Sequence, residues 1–252
     1  MGLTSIGSRR IASMAVTAAA RPCTVVMDVV PVTTAAWRLV RENPDVAMLV
    51  LECSAFPVAA AAVRRELGLP TVDFSTLHRF VMGALNPRME RLKGVGEAPG
   101  GGDWGTLGVL RLLHGPLNLP GAVSEAATYP YKAMWKQVPG AWTQNVTTGD
   151  ESVRQAYVEC TREMVRQGCR AVVTTCGFTS IFQADMAAAV NVPVASSSLL
   201  MVPFVCNLMP EGAKVAVLTY DATRLTNKQC QAAGWTDRKS TPSELQSHHD
   251  LG

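Results

Sequence analysis

Two segments of the chain repeat one another without a gap. MLVLECSAFPVAAAAVRRELGLPTVDFSTL (residues 48–77) and AVVTTCGFTSIFQADMAAAVNVPVASSSLL (residues 171–200) align at a constant offset of 123 positions. That offset pairs Cys53 with Cys176, Pro70 with Pro193, Ser75 with Ser198 and Leu77 with Leu200. Each copy reads as a strand, a cysteine, a helix, a proline, a second strand and a serine, and each follows a helical stretch, 33–42 or 151–167. The continuous apolar run VAMLVL at 46–51 has the character of a strand buried on both faces of a parallel sheet. Strands alternating with helices specify an α/β fold with mostly parallel sheets. The duplication makes it a pair of pseudo-symmetric Rossmann-like subdomains with an active site in the cleft between them.

The segment GVGEAPGGGDWG, residues 94–105, carries six glycines in twelve positions and reads as a linker. It divides the chain into a half carrying Cys53 (1–93) and a half carrying Cys176 (106–235), followed by a polar tail (236–252). In the second half, strands are expected at 106–112, 170–174, 194–196 and 214–219, and a helix at 180–190. A Pro/Gly-interrupted loop runs to Gly149, and Asp150 or Thr148 is placed to cap the helix that follows. Residues 1–27 contain no acid and three arginines, the composition of a transit peptide. An Ala-rich helix with a basic face has the same composition and is the expectation here.

Composition narrows the function. With 48% hydrophobic and 17% charged residues the chain is globular, and a net charge of +3 without a Lys/Arg run gives no support for nucleic-acid binding. No apolar run is long enough to span a membrane. Seven cysteines without a CxxC fit reduced thiols in a cytoplasmic protein better than a disulfide framework or a zinc site. His248, His249 and Asp250 lie in the polar tail and are not read as a metal site. The expected partner is a small-molecule substrate, with neither metal nor organic cofactor, and a homo-oligomer is left open.

Both paired cysteines stand at the carboxyl end of a strand just before a helix, the edge where ligands bind in open α/β sheets. Unpaired N–H groups at the helix start are expected to lower a thiol's pKa and to hold a carboxylate. Two such thiols across one cleft suit inversion of a carbon bearing an acidic C–H, with one removing a proton and the other delivering one. Cys23, Cys160, Cys169, Cys206 and Cys230 read as packing. Ser54 is a candidate for the substrate carboxylate or for capping, and Thr219 ends a strand on the ligand edge, followed by Tyr220. Glu52 is expected, from strand alternation, on the opposite face in a structural role; near the thiol its charge would raise the thiol's pKa. His114 and the loop aromatics Tyr129, Tyr131, Trp135 and Trp142 are read as solvated and packing residues, respectively.

These motifs resemble the aspartate/glutamate/hydantoin racemase superfamily. Cys53-Ser54-Ala55-Phe56-Pro57 resembles its Cys-Thr-x-Tyr-Pro motif. Thr175-Cys176-Gly177-Phe178-Thr179-Ser180 resembles the other cysteine motif in its hydantoin-racemase-like branch, and Gly108-Val109-Leu110-Arg111-Leu112 the opening strand of that branch. KVAVLTYDA, residues 214–222, resembles the strand that begins the other subdomain. The resemblance implies an isomerase: a cofactor-independent racemase or epimerase of an amino-acid or hydantoin-like substrate. Cys53 and Cys176 would be the acid/base pair, and Ser54, Gly177, Phe178, Thr179 and Thr219 would bind substrate. The family's order is inverted, so the chain looks circularly permuted; a gene-assembly product is the rival explanation. Gly177-Phe178 replaces the Asn-Thr of the amino-acid racemases, which counts against aspartate or glutamate as substrate. Two alternatives stand beside racemisation: a maleate-type cis–trans isomerase with a covalent Cys adduct, and a non-catalytic small-molecule-binding protein.

Overall fold

The computed structural model describes residues 11–15, 29–85, 105–113 and 121–235. Eight strands occur there: β1 (Ile11–Ala15), β2 (Val46–Leu51), β3 (Thr71–Val72), β4 (Thr106–Arg111), β5 (Ala133–Gln137), β6 (Cys169–Thr174), β7 (Val194–Ala195) and β8 (Lys214–Thr219). The α-helices are α1 (Val29–Glu42), α2 (Pro57–Leu67), α3 (Phe74–Leu85), α4 (Thr143–Thr147), α5 (Arg154–Arg166), α6 (Gln183–Ala188), α7 (Val202–Leu208) and α8 (Asn227–Ala232). The strands form two four-stranded sheets, ordered β1-β8-β2-β3 and β5-β4-β6-β7, and every pairing is parallel. This is the α/β architecture of two mostly parallel sheets that the alternating sequence pattern specifies.

The duplication reappears in the strand bounds. β6 lies 123 positions after β2, and β7 lies 123 positions after β3. Read as β8, β1, β2, β3, the first sheet has the same strand succession as β4, β5, β6, β7 in the second. The first sheet is thus drawn from both ends of the chain. β8, which the linker division groups with the second half and the family resemblance with the other subdomain, pairs between β1 and β2. Its apolar pattern (VAVLT, all buried) marks a central strand.

Both central strand pairs are closed by apolar packing. Leu49, Leu51, Ala216 and Leu218 contact α1 and α2 through Val32, Ala36, Leu39, Ala59, Ala60 and Val63. A larger core surrounds the second sheet and continues across the Met48 and Val50 face of β2 to α3. α2 begins with Pro57, whose missing N–H is no loss at a helix start, and ends at Gly68 in the left-handed conformation (φ 65°). Asp150 caps the turn before α5 by accepting from the Ser152 N–H.

Three local expectations differ. Ile11–Ala15, expected within an Ala-rich helix, is a strand, because it completes the edge beside β8 through parallel pairing. The loop expected before Gly149 contains β5 and α4. The helix expected at 180–190 begins earlier, as a 3-10 turn over Gly177–Phe182 that runs into α6. The linker 94–104, His114, Cys23, the tail 236–252 and most of the basic N-terminus lie outside the described residues.

Candidate active site

β2 ends at Leu51 and β6 at Thr174, and each chain then turns into a helical segment. Cys53 and Cys176 occupy these two turns. The backbone N–H groups of Ala55 and Phe56 face the Cys53 sulfur and favour its thiolate. Those of Phe178 and Thr179 do the same for Cys176. The turns match bond for bond: Phe56 N–H donates to the Cys53 carbonyl (3.0 Å) and Thr179 N–H to the Cys176 carbonyl (3.1 Å). The Glu52 charge acts on both thiols, so the two turns lie against the same carboxyl group.

Hydrogen bonds clamp the turns together across the two sheets. Ser54 Oγ donates to the Thr175 carbonyl (2.6 Å), and the Val123 N–H donates to the Ser54 carbonyl (3.2 Å). Ser198 Oγ donates to the Leu51 carbonyl (2.9 Å). Each bond joins the end of a strand in one half to a loop of the other, which fixes the two cysteine turns relative to one another.

Glu52, in the first turn and 1% exposed, reaches against Gly177 of the second. It is not on the far face. Its Oε2 accepts from Thr219 Oγ1 (2.8 Å) and from the Tyr220 N–H (3.4 Å), both at the end of β8. Its Oε1 lies so close to Gly177 that a Cβ there would stand 2.0 Å away. Glycine at 177 is therefore a requirement of space, because any side chain would collide with the carboxyl group. Burial raises the Glu52 pKa to about 7, against the lowering effect of its Thr219 and Tyr220 bonds.

Burial, with the Glu52 charge second, reverses the expectation for the thiols. Desolvation, followed by the Glu52 charge, pushes the Cys53 thiol up to about 12 despite the two N–H groups that face it. Cys176 is pushed well above the ordinary thiol range by the same two causes in the same order. The turn dipoles act in the expected direction but are outweighed. In its resting state the site holds two neutral thiols beside a carboxyl group that titrates near neutrality.

The expected substrate-binding residues divide by what their polar groups already do. Thr219 is buried and its hydroxyl holds Glu52. Thr179 is fully buried behind the Cys176 turn, its hydroxyl bonded to the Cys176 and Ser196 carbonyls and to Thr174. It organises the loop instead of facing a ligand. The Phe178 ring packs in the core, and its N–H serves Cys176. Ser54 donates its hydroxyl proton to Thr175, leaving the oxygen lone pairs as its remaining polar capacity. Gly177 gives the site room for Glu52. Sequence reasoning missed Glu52 as a site residue. It also missed the Thr175 hydroxyl, which is buried beside Cys176 with no hydrogen-bond partner among the described residues.

No protein-family model matches the sequence. Comparison with solved structures gives unliganded arylmalonate decarboxylase, covering 82% of this chain and 95% of that one, with a TM-score of 0.53 and 16% sequence identity. The chain has the fold of arylmalonate decarboxylase. A glutamate racemase from Francisella tularensis subsp. tularensis in complex with D-glutamate aligns over 90% of this chain and 82% of that one, at a TM-score of 0.49 and 15% identity. Among curated proteins, dimethylsulfoniopropionate lyase 3 of Emiliania huxleyi is 26% identical over 125 residues, 49% of this chain. The chain spans 33% of the length of that relative. No helix among the described residues is long and apolar enough to cross a membrane.

Proposed function

We propose that the protein is an enzyme that moves a proton at a carbon alpha to a carboxylate or carbonyl, with Cys53 and Cys176 as the acid/base pair. The observation that carries this reading is the pair of matched thiol turns at the carboxyl ends of β2 and β6, joined across the sheets by the Ser54–Thr175 hydrogen bond. In a racemisation or epimerisation, one sulfur takes the proton as thiolate while the other, as thiol, delivers one to the opposite face. The roles exchange for the reverse reaction. The substrate class we favour is an amino acid or a hydantoin-like compound, bound without an organic cofactor. We read the inverted order of the halves as a circular permutation, which the shared strand succession of the two sheets supports.

A second reading is favoured by the sequence match to a dimethylsulfoniopropionate lyase. Loss of a proton alpha to a carboxylate, followed by departure of a dialkyl sulfide from the β carbon, is an elimination that needs one base. A panel of amino acids, hydantoins and dimethylsulfoniopropionate in heavy water separates the two readings. Deuterium at the α-carbon of recovered substrate, with loss of optical purity, supports racemisation. Release of dimethyl sulfide with an unsaturated acid supports elimination. If no compound of either kind exchanges or eliminates, the proton-transfer reading is wrong.

A further inference from the structure

Glu52 precedes Cys53, is buried at 1% exposure, and is bonded by Thr219 and Tyr220 from the end of β8 and packed on Gly177, next to Cys176 in the turn after β6. The groups that face it are few. β8 supplies the Thr219 hydroxyl and the Tyr220 N–H; its own turn supplies Cys53; the turn after β6 supplies Cys176. Asp221, the next acid along, is paired with Arg224 and bonded by Thr223. The described groups that shift Glu52 are the Thr219 hydroxyl and the Tyr220 N–H, and those that shift Cys53 are Glu52 and the Ala55 and Phe56 N–H groups, beside burial in both cases.

A site of this kind faces a charge problem. An ionised Glu52, the carboxylate of a bound ligand and a thiolate formed for proton transfer would be three negative charges in one desolvated space. We infer that Glu52 is a proton-linked binding residue: it must take up a proton for an anionic ligand to bind, and then presents a neutral carboxyl group to the ligand's carboxylate. This rests on the proton-transfer reading only for the identity of the ligand as a carboxylate. The step balances simply: one solvent proton adds to Glu52 as one carboxylate enters, and both leave together. Burial supports it, because a carboxyl group with a pKa near 7 changes protonation at little cost at neutral pH. Protonation also removes the Glu52 charge that opposes ionisation of both thiols.

The test needs neither a substrate nor turnover. Iodoacetate and iodoacetamide alkylate the same thiolate, but only iodoacetate carries a carboxylate into the site. The ratio of their rate constants at one cysteine therefore cancels the thiolate fraction and reports admission of the anion. Alkylation of Cys53 and Cys176 is followed by mass spectrometry from pH 6 to 9, with half-buried Cys206 on α7 as the internal control. The expected result is a ratio that falls about tenfold per pH unit above about pH 7 in the native protein. It stays flat in Glu52→Gln, and at Cys206 it ignores the substitution. A native ratio that is flat with pH, or a fall that persists in Glu52→Gln, overturns the inference. So does reaction of either thiol with iodoacetamide but with iodoacetate at no pH, because no anion then reaches it. If the ratio behaves as expected while no substrate exchanges a proton, the linkage stands and the proposed reaction is what fails.

Discussion

Position by position, the turn after β2 reads Glu52-Cys53-Ser54 and the turn after β6 reads Thr175-Cys176-Gly177. The two thiols are cradled alike, each by the N–H groups two and three residues on. Their neighbours are not alike. One half contributes a carboxyl group, and the other has no side chain at Gly177, the counterpart of Ser54, which leaves room for it. One half offers a hydroxyl, Ser54, which grips the other half's strand end at Thr175. A duplicated scaffold has thus been made into an asymmetric site, in which the acid comes from one copy and the space for it from the other. Two-fold geometry suits a proton taken from one face and returned to the other, while the asymmetry lets one carboxyl group control both sulfurs.

The largest consequence is for stability against pH. The Glu52 pKa is raised from an ordinary 4.5 to about 7 in the folded protein, so between those values the folded state binds more protons than the unfolded state. Stability attributable to this group therefore falls as pH rises through the window, by about 3 kcal/mol in all, and is level above it. Chemical denaturation at intervals from pH 4 to 8 should show Glu52→Gln gaining on the native protein by that amount. A difference that does not change with pH would mean that Glu52 is not buried between the halves.

A smaller effect is expected at the glycine that accommodates it. Gly177→Ala places a Cβ 2.0 Å from Glu52 Oε1, and the overpacking should cost about 1–3 kcal/mol. Combined with Glu52→Ala the two changes should be markedly less than additive, which a double-mutant cycle reads directly. Additivity would place the carboxyl group elsewhere. The matching position in the other copy behaves differently: Ser54→Ala removes a 2.6 Å bond across the halves and creates no collision, so about 1 kcal/mol is expected. A Ser54→Ala cost equal to that of Gly177→Ala would erase the distinction between the two turns.

What the sequence reveals here follows from what is local. Cys53 and Cys176 are legible because the strand, cysteine and helix order lies within thirty residues and occurs twice, and β2, β3, β6 and β7 keep the same offset. The Glu52 position is not legible by alternation because β2 ends at Leu51, and beyond that point the backbone no longer alternates its side chains. Only the β8 partners, more than 160 residues away, show where the carboxyl group is held. The thiol pKa values fail for a related reason. The N–H cradle is written in the turn, whereas burial and the field of Glu52 come from packing between the halves. β5 carries no alternation in its burial and is an edge strand, defined by its pairing to β4 and not by its own residues.

The central claim is that both sulfurs serve one proton transfer. Its most direct test is the rate of racemisation, followed as loss of optical purity, for the first compound of the panel that the native protein exchanges, measured in Cys53→Ser and Cys176→Ser separately. A two-thiol racemase predicts that each substitution lowers racemisation by about 10²–10⁴-fold while the fold, followed by circular dichroism, is kept. Racemisation that survives either substitution at the native rate would contradict the account.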